Sequence, residues 1–442
     1  MEKKINAKDV LFIGLAFFAS YFGAGNLIFP PKLGQESGIH FLSGIAGLSI
    51  SGIALPIFAI ILIGATPQMP QIARRVGKNF YNVYIGFCLI VGCMLVAIPR
   101  TAAVGTELGV QGISSAIPYI PVVVCYFIIA AVFSWTKGNA LDKVGKILTP
   151  AMVIILFTLV IINIVHPIGT PVDTGLKAPL VHSLLTGYNT GDALVSFLLA
   201  GVFLDSIRIK GYTTPKQLSK VCTIAGLIAF FCLTIVYGGL LYMGACGGTA
   251  FPANADNSTI LIGIIKMTGG RAAVSALGVA VVLACLTTAI SQIVAVSDWA
   301  ETVTKGKIKY HVSIIIVSIV SFLVATVGLQ SIITYAAPLY SLMYALTLSF
   351  MLLMILNKFI PNDGGFKGAI LLVTIESVVE LAGSYGLNLG SIARFDKAIP
   401  LVAQGFGWVV PFIVGLVGGC ILYPLFRKKN TAKISDNIPE KI

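Results

Sequence analysis

The run Tyr21-Phe22-Gly23-Ala24-Gly25-Asn26-Leu27-Ile28-Phe29-Pro30-Pro31 lies inside an apolar stretch and breaks its rules. A segment that crosses lipid must satisfy its own backbone, so helix-breaking residues there mark backbone that lines a site. Glycine weakens a helix by ~1 kcal/mol relative to alanine, and Gly23 and Gly25 do so within three residues; Asn26 is suited to cap a new half-helix. Opened there, the second half would offer N–H groups of positive partial charge and the first half bare carbonyls. The former suit a carboxylate and the latter a small cation. Close helix packing through small residues is the other use of such a run, and the sequence leaves both open. Further along, Leu283-Ala284-Cys285-Leu286-Thr287-Thr288-Ala289 sets two adjacent hydroxyls and a carbonyl one turn earlier on one side of a helix. Oxygen-only ligation suits a hard cation such as Na+, although a helical threonine also commonly bonds its own backbone.

Ionisable groups at depth are expensive and by default functional. Asp192, Glu376 and Glu380 are the candidates. Asp192 reads as lying near the outer end of its segment, where a gate or loop anchor competes with proton coupling. Glu376 and Glu380 share a helix face at i, i+4 and could pair with a Lys or Arg from elsewhere. Arg100 and Glu107, just past their own span, read as interfacial, as do Asp205, Asp298 and Glu301 beside Arg208 and Lys305.

The elements that must position these groups follow from composition. Hydrophobic residues make up 57% of the 442 and charged residues 11%, against about 25% charged in globular domains, and the mean hydropathy is +0.95. A soluble core of this size needs far more charge on its surface, which excludes a soluble enzyme along with disorder, collagen and coiled coil. Apolar stretches of about 20 residues without polar alternation exclude a β-barrel. An enzyme within the membrane would need a clustered nucleophile, base or metal set. The four histidines are scattered, and the eight cysteines form no CxxC pair or Cys/His metal spacing, so neither an enzyme nor a cofactor is expected. A channel would need a continuous polar pore, which the few polar faces do not supply.

The sequence predicts an all-α membrane protein of twelve spans, at about 9–31, 41–66, 79–99, 116–135, 147–167, 190–207, 221–245, 273–297, 312–328, 332–356, 367–387 and 400–426. The stretch 257–269 reads as a short helix that does not cross. With the N-terminus in the cytoplasm, 23 of the 30 Lys and Arg fall on the cytoplasmic side and 7 outside, as the positive-inside rule requires. Both termini are therefore expected in the cytoplasm. The basic residues are dispersed over short loops and a tail, which argues against a nucleic-acid surface. Nothing in the sequence calls for an obligatory protein partner beyond the lipid bilayer. The apolar run from Val10 to Pro30 lacks a small-residue cleavage site, so the first span is expected to stay.

Span 6 is the counterpart of span 1. It carries Gly187-Tyr188-Asn189-Thr190-Gly191-Asp192 at its outer end and Ala200-Gly201-Val202-Phe203 at mid-depth. Interrupted helices opening each half mark inverted-repeat transporters, whose site lies between them. Five spans per repeat is odd, so the orientation reverses as required. A single polytopic domain over 1–442 is expected, with repeat one at about 9–167, repeat two at about 187–356 and two extra helices at about 367–426.

The run Phe22 to Pro31, together with Ala97-Ile98-Pro99-Arg100-Thr101-Ala102, Gly187 to Leu194 and Ala284 to Ala289, resembles the branched-chain amino acid:cation symporters, the BrnQ-type carriers of bacteria. The resemblance implies a twelve-span inner-membrane importer of leucine, isoleucine and valine driven by Na+ or H+. The alternative is a secondary transporter of another small solute on the same fold. That family in turn looks like the LeuT-type superfamily, a 5+5 inverted repeat with discontinuous helices 1 and 6. By that likeness the amides around Ala24 and Gly25 would hold the substrate carboxylate, within a substrate site of Phe22, Gly23, Ala24, Gly25 and Asn26. Ala200, Gly201, Val202 and Phe203 would line the side-chain pocket. Carbonyls of Ala19, Phe22 and Ala284, with the hydroxyls of Thr287 and Thr288, would hold Na+. Asn26 would match the residue bridging a second, substrate-linked ion.

Overall fold

The computed structural model describes residues 5–65, 69–135, 154–158, 160–390 and 398–435. The expected loop and the start of the fifth span, 136–153, lie outside the described residues. Among the described residues every regular element is helical and none is a strand. Five helices are long and apolar enough to cross a membrane by length and composition: Gly25–Gly64, Asn82–Ile113, Pro215–Ala250, Asn257–Val303 and Leu329–Leu356. The shortest, at 28 residues, reaches about 42 Å at 1.5 Å per residue, more than a ~30 Å hydrocarbon core.

The chain divides into two compact units, Met1–Gly64 with Gly86–Tyr340, and Ala65–Ile85 with Ser341–Ile442. In the first, α1 (Ala7–Tyr21) starts on Asn6, whose side chain accepts from the Lys8 amide at 3.0 Å. It is followed by α2 (Ala24–Ser37), α3 (Phe41–Ser49) and α4 (Leu55–Ala65), with a π-type turn at Ile50–Ala54 between the last two. Then come α5 (Asn82–Ile113), α6 (Tyr119–Ser134), α7 (Pro179–Tyr188) and α8 (Asp192–Ile209). Helix α9 (Pro215–Gly247) opens on a capping box between Thr214 and Gln217, the reciprocal arrangement that satisfies two end amides at once. After it run α10 (Asn257–Val303), α11 (Tyr310–Ala325) and α12 (Leu329–Leu356).

Two features of this order matter for the site. Helix α5 does not stop before Pro99, as the sequence suggests, but runs on to Ile113. In a regular helix the proline ring clashes with the carbonyl four residues back. Here wide π-type turns at Cys88–Ala97 and Gly105–Val110 flank it and carry the chain past. Arg100 therefore belongs to a helix interior rather than to an outer loop. Helix α10 is two helices meeting at Gly270 (φ 67°, ψ −164°), so the short helix expected at 257–269 ends where a glycine allows the turn.

Helices α2 and α9 approach backbone to backbone. A Cβ on Gly34 would lie 1.9 Å from the Leu241 carbonyl oxygen, and one on Gly244 would lie 2.0 Å from that of Pro31. Such contacts need glycine on both sides, and they fix α2 against a long, largely buried neighbour. In the second unit, α13 (Asp363–Ser384) and α14 (Val409–Ser435) repeat the device, a Cβ on Gly368 lying 2.1 Å from the Gly415 carbonyl oxygen. Arg75 ties the short helix Met69–Val76 to this unit through Asp363 (2.9 Å) and Asn357 (2.8 Å). Glu376 and Glu380 both lie on α13; Glu376 is buried and accepts from the Ser377 hydroxyl at 3.1 Å.

Candidate functional site

The helical ladder is open in the first span. Helix α1 stops at Tyr21 and α2 starts at Ala24, because Phe22 (φ −80°, ψ 87°) and Gly23 (φ −119°, ψ −170°) leave the helical region. The Gly23 amide donates only two residues back, to the Tyr21 carbonyl (3.0 Å), and the Asn26 amide donates to Gly23 (3.2 Å). The amides of Ala24 and Gly25 open α2, where no earlier turn of that helix can accept them. The N-cap, Gly23, makes no side-chain cap bond. Asn26 is not the cap the sequence suggests. It is the third residue of α2, 1% exposed, and its Nδ2 donates back to the Tyr21 carbonyl and across to Asp192 Oδ2 at 3.0 Å.

A second opening lies at Asn189–Thr190–Gly191, between α7 and α8. Gly191 has φ +82°, and a Cβ there would meet the Tyr340 hydroxyl at 3.2 Å. The helical stretch thus runs from 179 to 209 with the gap inside it. Asp192, placed near the outer end of its span by the sequence, stands at the gap itself as the first residue of α8, 5% exposed. The residues expected at mid-depth fall ten positions further on, within α8. The side chains of Ala200, Gly201 and Val202 lie outside the described residues, as do those of Ala19 and Ala24. Phe203 is buried, its ring 4.8 Å from that of Phe17 and 6.1 Å from that of Tyr21.

The two openings face each other. Besides the Asn26–Asp192 bond, the Tyr21 hydroxyl lies 2.8 Å from the Ser196 hydroxyl on α8, which donates to the Pro56 carbonyl at 2.9 Å. Arg100 joins the same place from α5. It is 6% exposed, its Nη1 and Nη2 donate to the carbonyls of Asn189 (2.6 Å) and Thr190 (2.9 Å), and its Cζ sits 5.3 Å from the Tyr340 ring centroid. A Cβ on Gly25 would come within 2.9 Å of Nη2.

Arg100 and Tyr340 are what reading the sequence misses. A Pro-Arg pair after an apolar run reads as the end of a span. The signal that could have corrected it is the apolar continuation Thr101-Ala102-Ala103-Val104-Gly105, which keeps the helix inside. Glu107 is closer to expectation: near the end of α5 it accepts from the Ser258 hydroxyl (2.8 Å) and the Leu329 amide (2.9 Å), an anchoring set.

Thr287 and Thr288 are half-buried on α10, and both hydroxyls donate to the Ala284 carbonyl at 2.9 Å. That is the local bond a helical threonine favours. It leaves the hydroxyl lone pairs free to accept or to ligate. Among the described residues no group of three His, Cys, Asp or Glu could hold a metal ion. The arrangement at the two openings is one of donors, acceptors and fixed charge with no nucleophile, which suits binding rather than bond-making.

Solved structures share this fold across almost the whole chain. The manganese transporter of Eremococcus coleocola, in a mutant form, matches with a TM-score of 0.57 at 13% identity, covering 94% of this chain and 97% of that one. A Na+-coupled sialic acid symporter in its outward-open state matches at 0.51 and 14% identity, covering 94% and 95%. Mhp1, a nucleobase-cation-symport-1 family transporter in a closed conformation, matches at 0.57 and 11%, covering 95% and 93%. The fold is that of the LeuT-like membrane transporters. Residues 6–425 match the family described as branched-chain amino acid transport protein. The branched-chain amino acid permeases BraB and BrnQ of Bacillus subtilis (strain 168) are each 31% identical, covering 96% and 98% of this chain and 97% and 100% of theirs. The branched-chain amino acid transport system 2 carrier protein of Pseudomonas aeruginosa is 30% identical over 96% of this chain and 98% of its own. The chain belongs to this family of multi-pass membrane transport proteins; its relatives are named permeases and carriers, not enzymes.

Proposed function

We propose that the protein imports leucine, isoleucine and valine across the bacterial inner membrane by cation-coupled symport, with alternating access to a site between the two helix openings. The observation that carries this reading is the meeting of the openings at Asn26 and Asp192 (3.0 Å). Two interrupted helices that join through polar side chains supply free backbone groups where a transporter binds its cargo. The permease names of relatives along the full length support the substrate class. The twelve-span, 5+5 inverted arrangement fits an opening at residues 22–23 in the first half and one at 189–191 in the second. The 23 to 7 distribution of Lys and Arg supports cytoplasmic termini.

In this reading the amides of Ala24 and Gly25 receive the substrate carboxylate, and the apolar faces around Phe203 and its neighbours Ala200 to Val202 receive the aliphatic side chain. Leu, Ile and Val differ by a methylene or a branch, worth only ~1–3 kcal/mol, so one pocket serves all three. The coupling ion is Na+ or H+. Carbonyls of Ala19, Phe22 and Ala284 with the hydroxyls of Thr287 and Thr288 form the Na+ candidate, and the buried Asp192 is the candidate for coupling or gating. The deciding experiment is radiolabelled leucine uptake into proteoliposomes under separately imposed Na+ and pH gradients. Accumulation driven by one of them identifies the ion, and accumulation under neither overturns symport. Thr287→Ala removes one oxygen ligand, about 1 kcal/mol, so the half-saturating cation concentration should rise about fivefold while expression holds. An unchanged cation dependence would remove this helix from the ion site.

A further inference from the structure

Arg100 carries a permanent charge in a place where such a charge needs a reason. Both of its terminal nitrogens bond neutral backbone carbonyls, those of Asn189 and Thr190. Its Nε is buried and, among the described residues, has no hydrogen-bond partner. No described carboxylate stands within ion-pair distance; Asp192, the buried acid of the same region, receives Asn26 instead.

What Arg100 does face is the start of α2. Its Nη2, Cζ and Nη1 lie 2.9, 3.1 and 3.3 Å from where a Cβ on Gly25 would be, beside end amides that Gly23 leaves without a side-chain cap. A helix N-terminus carries positive partial charge, so a guanidinium pressed against it is an unfavourable pairing on its own. An anion touching both turns the repulsion into two attractions. Leaving neutral carbonyls for a carboxylate also exchanges ordinary hydrogen bonds for charge-assisted ones, for which the planar guanidinium fork is suited.

From this geometry we propose that Arg100 is a specificity residue of the transport site, closing on the free α-carboxylate of the amino acid together with the opening amides of α2. The proposal rests on the amino acid transport reading and sharpens it: the cargo must carry an ionised carboxylate. Amides, esters and simple amines with the same aliphatic chain are rejected because they leave the guanidinium and the helix end unanswered.

The test is competition against radiolabelled leucine in proteoliposomes, with unlabelled leucine, leucinamide and 3-methylbutylamine as competitors. For the wild type, leucinamide and the amine should compete about 10- to 100-fold more weakly than leucine, the range of a charge-assisted contact. Arg100→Gln should weaken leucine by a similar factor and bring the leucine-to-leucinamide ratio close to one, whereas Arg100→Lys should keep part of that preference. A merely structural arginine would lower uptake without moving the ratio, so an Arg100→Gln protein that keeps the wild-type ratio overturns the proposal. Should that variant fail to fold, thermal stabilisation of the purified wild type decides: equal stabilisation by leucine and leucinamide overturns it. A wild type that ignores all three branched-chain amino acids but binds another free amino acid overturns the substrate reading alone. The acid-to-amide ratio with that ligand then decides on Arg100. Binding of no free amino acid overturns both.

Discussion

Asp192→Asn is expected to abolish concentrative leucine uptake while leaving a folded, membrane-inserted protein. Asp192 is 5% exposed and opens α8 directly at the gap after Gly191. A negative charge at a helix N-terminus is favoured, and here it also accepts the Asn26 amide that bridges to the end of α1. Asparagine matches it in shape and can still accept through Oδ1, so packing survives. What disappears is the charge, and with it the ability to answer a proton or a substrate cation between the two openings. Losing one charge-assisted contact in a buried site costs about 1.5–3 kcal/mol, or roughly 10- to 150-fold in apparent affinity. Coupling should suffer beyond that, since an amide has no second charge state to cycle through. Accumulation against a gradient should therefore vanish even at saturating leucine, whereas leucine exchange across the membrane at equal concentrations should persist at a reduced rate. Wild-type accumulation in this variant would remove Asp192 from the coupling step.

The position of Asp192 also shows how far the sequence can be read and where it stops. The opening of the first span was legible because two glycines and an asparagine inside an apolar run have no cheap place in a continuous helix. The second opening was legible only as a region. Residues 187–192 and 200–203 both carry a glycine, and hydropathy put the polar group Asn189-Thr190-Asp192 outside the span because polar residues there lower the apolar average. The structure places a ten-residue helix, α7, before that group, so the group is internal. Short helices at the start of a broken span are invisible to a window about twenty residues long. Arg100 was lost for a related reason. A proline followed by an arginine has the local signature of a helix end, and only the π-type turns of α5, a matter of tertiary packing, carry the chain through. The separate short helix at 257–269 was recoverable because a single glycine, Gly270, marks its end. Thr287 and Thr288 were visible as a hydroxyl pair, but their bonds to Ala284 are geometry the letters do not contain.

Gly23 and Gly25 look interchangeable in the sequence, and the structure separates them into one tolerant and one intolerant position. A Cβ on Gly23 meets nothing within 4 Å, and its φ of −119° with ψ of −170° is extended backbone open to any residue. Gly23→Ala should therefore lose no more than a few tenths of a kcal/mol, the usual difference between glycine and alanine where a cap makes no side-chain bond, and should transport leucine nearly as the wild type does. Gly25→Val should behave in the opposite way. Its Cβ would stand 2.9 Å from Nη2 and 3.1 Å from Cζ of Arg100, and the guanidinium is held in place by the carbonyls of Asn189 and Thr190. The valine must either displace Arg100 from both bonds or push α2 away from the opening. Each charge-assisted bond is worth about 1.5–3 kcal/mol, so losing both corresponds to at least a hundredfold in affinity for any cargo bound there. A branched side chain would also cover the amides at the start of α2. Equilibrium binding of radiolabelled leucine to the purified variants, with thermal unfolding measured alongside, separates the two positions. Loss of binding in Gly25→Val with an unfolding temperature near that of Gly23→Ala places the cargo at this helix end. Equal binding by both variants would mean that leucine docks somewhere other than the gap between α1 and α2.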